Sequence, residues 1–368
     1  MPVARALLLP SAPEHASNAK ASTTGVGAGA GGPRHCQDPR VRHHITFDQA
    51  RGAVMTRESL ERDRWKERDI ARALQDGTLL RLQRNRYVFG SEWEALWPES
   101  RHRIEVAAAF GEMRKGAAAA SYESAGAVWG LALYRHVPDA VHLTTPQGVH
   151  VSSRAGLRRH GDHLPDEDVV VHLGVRCTTL DRTVFDLARS LSFEAAVAVV
   201  DAGLRRAAFD GRRYDLDAAE EWRDRMLARA ARGAGLRGVR QAVAAITFAD
   251  GRAESPAESV GRVQLARLGF DRIRLQTRVP GPDGREFRID IEIEDAAAFL
   301  EIDGMTKYRD EAMRSGRTLD EVLLDEKRRE DWIRGTTQHR FVRAEEKHVL
   351  TAEALGQRLG AFGIRLPR

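Results

Sequence analysis

Between Glu286 and Tyr308 the chain reads EFRIDIEIEDAAAFLEIDGMTKY, and two short runs inside it constrain the fold more than any other stretch. Phe287, Ile289, Ile291 and Ile293 alternate with Arg288, Asp290, Glu292 and Glu294, the period of two of a strand with one buried face. Ala298, Leu300 and Ile302 repeat the pattern against Phe299, Glu301 and Asp303. A tight hairpin about Asp295 and Ala296 sets Ile293 opposite Ala298, Ile291 opposite Leu300 and Ile289 opposite Ile302, and this match of apolar faces fixes the register. The same register predicts Asp290 directly across from Glu301, with side chains about 5 Å apart. Two carboxylates so close repel unless a cation lies between them. Mg²⁺ is commonly held by one or two carboxylates, and Mn²⁺ is a candidate for the same place. Such an ion polarises a phosphodiester and lowers the pKa of an attacking water. The plainer alternative is a solvated acidic face on an edge hairpin, with Arg288 paired across to Asp303.

Asp290, ten residues, then Glu301-Ile302-Asp303-Gly304 resembles the core of the PD-(D/E)XK nuclease superfamily, in its Vsr-like branch. Upstream, Ser255-Pro256-Ala257-Glu258-Ser259 with Arg262, Leu265 and Gly269 is similar to the helix that opens that domain and carries its first acid. Downstream, Asp325 to Trp332 resembles the basic helix after the core strands, and Arg340-Phe341-Val342-Arg343 the closing strand. The resemblance covers about residues 253 to 350. It implies a restriction-endonuclease-like α/β domain over 253–368, with Asp290 and Glu301 holding the metal and the Ile302 carbonyl as a further ligand. The superfamily's usual lysine, two positions after the second acid, is Asp303 here, so Lys307 or Lys327 is expected to supply the ammonium that orients water. Glu258 also reads structurally: Ser255, Pro256 at the first helical position and Glu258 three residues on form a capping box.

Beyond this stretch, 368 residues suffice for two or three domains. Lys plus Arg number 58 against 53 for Asp plus Glu, so a nucleic-acid signal has to come from where charge is placed rather than from its total. Cys36 and Cys177 exclude a disulfide framework and suit a reducing cytoplasm. No apolar run approaches the roughly 18 residues of a membrane span. Residues 1–44, rich in Ala, Gly, Ser and Pro, read as a disordered tail.

Residues 45–97 read as a winged helix-turn-helix. Phe47, Ala50 and Val54 have helical spacing, Thr56 caps a second helix, Trp65 to Leu74 forms a third, and Leu79 to Phe89 makes two strands about an Asn-containing turn. Residues 57–86 hold nine Arg or Lys against six acids. The third helix would offer Lys66, Arg68 and Arg72 to the major groove, and the wing Arg81, Arg84 and Arg86 to phosphates. A helical module whose arginines are merely solvated is the alternative.

Gly77, the basic run Arg81 to Arg86 and Tyr87-Val88-Phe89 resemble the N-terminal domain of AbiEi-type antitoxins of type IV toxin–antitoxin systems. The element order predicted for residues 98–208 is similar to the middle region of the same proteins, and 209–252 reads as a basic helical connector. That resemblance implies DNA as one partner and a toxin encoded nearby as another. Ser121 and Ser124 lack a Gly-x-Ser-x-Gly elbow, and His160-x-x-His163 lacks further zinc ligands at the right spacing. The expectation is an α/β (α+β multidomain) DNA-binding protein whose nuclease-like domain cleaves phosphodiesters with Mg²⁺. Its alternatives are a non-catalytic antitoxin-like transcriptional regulator and a protein-interaction module that touches no DNA.

Overall fold

The computed structural model describes residues 42–111, 118–145, 155–303 and 318–367, which form a mixed α/β multidomain chain with three sheets. The first unit runs α1 (Phe47–Ala53), β1 (Met55–Thr56), α2 (Arg57–Arg62), α3 (Glu67–Gln75), β2 (Leu79–Gln83) and β3 (Arg86–Phe89). Thr46 and Thr56 start α1 and α2 through capping boxes, satisfying amides that a helix leaves open at its first turn. Asn85, at φ 57°, turns β2 into β3, a conformation an Asn side chain tolerates better than most. Leu60, Ile70, Ala73, Leu79 and Tyr87 close a small core between α2, α3 and the hairpin, and α1 packs beside it through Ala50 on Val88, so the unit has the three helices and hairpin of a winged helix-turn-helix. After α4 (Gly90–Glu94), α5 (Pro98–Phe110) joins this unit to the next: its Ile104 packs with Ala50 and Val88, and its Val106 with the middle sheet.

The middle sheet has the order β6-β5-β4-β8-β7, built from β4 (Ala119–Ala120), β5 (Val141–Thr144), β6 (Leu157–His160), β7 (Val169–His172) and β8 (Val175–Thr178). Strands β7 and β8 form a tight hairpin, because Leu173 and Gly174 both take positive φ and pair His172 with Val175. Leu173 gives no turn signal in sequence, which hides the reversal. Helix α6 (Tyr122–Trp129) lies on this sheet. Helices α7 (Leu180–Ser190), α8 (Phe193–Ala208), α9 (Leu216–Arg232) and α10 (Val239–Phe248) share one core in which Trp222 is 1% exposed. The stretch 209–252, read as a connector, therefore buries an apolar side among the preceding helices.

The last unit comprises α11 (Pro256–Arg267), β9 (Ile273–Pro280), β10 (Glu286–Ile293), β11 (Ala298–Asp303), α12 (Leu319–Thr337), β12 (Arg340–Glu345) and α13 (Ala352–Ala361). Its sheet has the order β12-β11-β10-β9, with β11 and β12 parallel and the other pairs antiparallel. Ile293 pairs with Ala298 and Ile291 with Leu300, in the predicted register. Beyond that point the alternation slips. Ile291 and Ile293 pack with Leu265 of α11 and Leu355 of α13 on one face, whereas Ile289 packs with Phe299, Phe341 and Ile333 of α12 on the other. The change of face falls at Asp290, and Gln276 on the neighbouring strand β9 takes φ 54°.

Candidate functional site

The acids singled out in the sequence gather where α11 begins beside β10 and β11. Ser255 caps α11 by accepting the Glu258 N–H at 3.2 Å. The Glu258 carboxylate accepts in turn from the Glu254 N–H at 2.8 Å, the Ser255 hydroxyl at 2.9 Å and the Gln276 amide at 3.4 Å. Burial, reinforced by the nearby charge of Asp290, lifts the Glu258 carboxyl to about 7. Its folded pKa lies above the ordinary 4.5, so its contribution to stability is full below that value and is lost as pH rises through about 7. The variant Glu258→Gln is expected to flatten the pH dependence of unfolding between those two values, read from urea midpoints at half-unit steps.

Asp290 and Glu301 do not form a simple facing pair. The described β10–β11 ladder ends at Ile291 and Leu300, and the Asp290 carboxylate instead accepts the Ile302 N–H at 3.1 Å. Glu301, 6% exposed, receives the guanidinium of Arg329, which also donates to Glu326 at 2.8 Å and to the Arg288 carbonyl. Arg343 stands 3.7 Å from Glu301 and bonds Glu330 at 3.0 Å and Glu326. Burial raises the Glu301 pKa against the pull of Arg329. For Arg329, burial is outweighed by Glu301 and Glu326, which hold its charge firmly in place.

Asp303 ends β11, and Lys307 lies outside the described residues. Helix α12 turns Glu326, Arg329, Glu330 and Ile333 to the sheet at i, i+3, i+4 and i+7, which leaves Lys327 exposed on its far side. Among the described residues Arg329, rather than Lys327, is the cation seated on Glu301. Sequence reasoning passed over it, although that spacing of Glu326, Arg329, Glu330 and Ile333 marks the inward face. Among the described residues no three His, Cys, Asp or Glu side chains have the geometry to hold a metal. Asp290 is engaged by an amide and Glu301 by guanidinium groups, so this arrangement does not fit Mg²⁺ or Mn²⁺ as it stands.

On the winged unit, Lys66 is exposed at the start of α3, Arg72 pairs with Asp69 at 3.1 Å, and Arg68 lies 3.9 Å from the same carboxylate. Arg81 and Arg84 are exposed and make no ion pair among the described residues. Arg86 is half-buried, its guanidinium directed to Gly111 at the end of α5. Only part of the predicted basic surface is therefore uncompensated.

In the middle sheet Ser124 and His160 belong to buried or half-buried networks, the Ser121 hydroxyl is buried without a partner among the described residues, and His163 is exposed. Ser124 is fully buried, accepts the His142 N–H at 2.8 Å and lies 3.2 Å from His102, so no substrate reaches it. Ser121 is fully buried as well. Glu123 holds His142 at 2.8 Å and His136 at 3.2 Å, while His160 stacks on Tyr122 at 4.2 Å. His163 offers its carbonyl to Arg182, so it and His160 serve different networks. Asp168 ties Arg182 of α7 to Arg229 of α9, and Asp186 takes Arg182 and Arg189. These ion pairs fasten α9 to the sheet and to α7.

Residues 118–234 match the AbiEi antitoxin C-terminal domain. The AbiEi-matched segment begins just before β4 and ends just after α9, so it contains the middle sheet and the Asp168 and Asp186 networks. The winged unit precedes it and the acidic cluster follows it. No curated protein matches the chain. Among the described residues no helix is long and apolar enough to cross a membrane.

Proposed function

We propose that this chain is an antitoxin-like transcriptional regulator of a type IV toxin–antitoxin system. On this reading it acts in the cytoplasm, binds DNA through the winged unit and binds a toxin encoded beside it. The observation that carries the reading is the AbiEi-matched segment lying directly behind a winged helix whose α5 packs into both cores. The C-terminal unit then serves as a non-cleaving module, supported by the Arg329 guanidinium seated on Glu301. Purified protein should retard the DNA upstream of its own reading frame without cutting it in Mg²⁺ or Mn²⁺. Failure to bind that DNA, together with no association with the neighbouring gene product, would defeat the proposal.

The second reading is a Vsr-like, Mg²⁺-dependent endonuclease using Asp290 and Glu301. What favours it is the convergence of carboxylates: Asp290 raises the pKa of both Glu258 and Glu301. Metal-dependent nicking abolished by Glu301→Gln would establish that reading instead.

Phosphate contact by the wing has its own measurement. Replacing both Arg81 and Arg84 by alanine should weaken DNA binding about equally across sequences and reduce the slope of log K against log salt by about one per lost contact. An unchanged slope would remove the wing from the interface.

A further inference from the structure

An open cleft of about 470 Å³ lies between the start of α1 and the far ends of α6 and β7, with His44, Gln49, Arg103, Trp129, His172 and Arg206 on its walls. That volume falls within the roughly 300–1,000 Å³ typical of small-ligand sites. Among the described residues no carboxylate lines it. Glu99, outside the lining, acts on His44 and Arg103 through its charge.

Two of its walls are guanidinium groups short of partners. Arg206 makes no hydrogen bond or ion pair among the described residues, whereas its neighbour Arg205 pairs with Glu254 at 3.0 Å. Arg103 donates to the Ile45 carbonyl at 2.6 Å and, among the described residues, to no carboxylate, leaving other donors of its five-donor fork for a ligand. Burial holds the pKa of both guanidinium groups below the ordinary arginine value. A half-buried cation such as Arg103 without a carboxylate partner is costly, and an anion held in the cleft offsets that cost, with the exposed Arg206 fork free to join it. The wall beside them is stiff: the Trp129 N–H donates to the Thr178 carbonyl at 2.9 Å, and its ring stacks on His172 at 4.0 Å.

We propose that this cleft is a binding site for a phosphoryl group, free or carried by a monoester or a nucleic-acid backbone. Two permanent cations match a doubly charged oxyanion better than a carboxylate. Guanidinium forks fit phosphate oxygens in pairs, and the two imidazoles add further donors. His44 and Gln49 come from the winged side, Trp129, His172 and Arg206 from the AbiEi-matched segment, so an occupant would touch both. The site does not depend on the regulatory reading above.

The test uses the full chain, with thermal melting and calorimetric titration at ionic strength fixed by sodium chloride. Inorganic phosphate and adenosine monophosphate should each raise the melting temperature with dose, and chloride alone should not. Arg206→Gln, a change at an exposed position, should weaken phosphate at least tenfold while melting normally without it, and Arg206→Glu should abolish binding. A duplex arm assigns the source: loss of duplex affinity in Arg206→Gln, with competition by phosphate, points to backbone phosphate, and unchanged duplex affinity to a free phosphoryl ligand. No phosphate effect beyond chloride on the wild type, or equal affinity in wild type and Arg206→Gln, overturns the proposal.

Discussion

Replacing Arg262 by alanine is expected to destabilise the folded chain by about 3–5 kcal/mol at neutral pH, the cost of removing one partner of a buried ion pair. Arg262, on α11, donates to both oxygens of Asp201 on α8, at 3.1 and 3.0 Å, and one of those oxygens also accepts the Asp250 N–H at 2.7 Å. Asp201 is 1% exposed, and the Arg262 guanidinium also lies over the Phe248 ring. Burial dominates at Asp201 and pushes its carboxyl up to about 6 even with Arg262 in place. Because that value lies above the ordinary 3.8, the stability linked to Asp201 is full below 3.8 and falls as pH rises through about 6. Without Arg262 the carboxyl rises further, so the deficit should be larger at pH 8 than at pH 5. Adding Asp201→Asn should recover part of the loss at pH 8. A deficit below about 1 kcal/mol in urea unfolding, or one equal at both pH values, would mean that this pair does not fasten α11 to α8.

That pair was invisible in the sequence, because residues 201 and 262 belong to different predicted units and nothing in either stretch names the other. Local signals fared better. Thr56 and Ser255 announce their helices through side chains that close on amides within three residues, which is the distance over which a sequence can be read directly. Ile291 with Leu300 and Ile293 with Ala298 were legible because a short hairpin with one buried face admits few registers. Two residues further the same logic failed. An alternating pattern cannot show that Asp290 takes the Ile302 amide or that Gln276 takes φ 54° on the strand beside it. Strand β9 went unpredicted for a related reason, since Ile273, Leu275 and Val279 alternate only imperfectly around that irregular residue. The partner of Glu301 was sought among lysines on the strength of a family pattern, whereas helix periodicity alone brings Arg329 to the sheet.

Substituting Arg329 by methionine is the second change expected to have a large effect, about 3 kcal/mol at neutral pH. That is the lower end of the cost of breaking a buried pair, because Arg343 remains 3.7 Å from Glu301. The variant leaves Glu301 beside Asp290 and Glu326 with less positive charge, which raises its already elevated pKa. A carboxylate with a raised folded pKa is least harmful when protonated, so the deficit should shrink as pH falls from 8 toward 5 and be greatest above the folded pKa. The same variant separates the two readings of the C-terminal unit. If Arg329 is the resident counter-charge of Glu301, Mn²⁺ should leave the melting temperature of the wild type unchanged and raise that of Arg329→Met, since a divalent cation can then take the vacated place between the carboxylates. Glu301→Gln combined with Arg329→Met should recover part of the stability and lose the response to Mn²⁺. A wild type stabilised by Mn²⁺ as strongly as the methionine variant would show that the guanidinium does not stand in for a metal at Glu301.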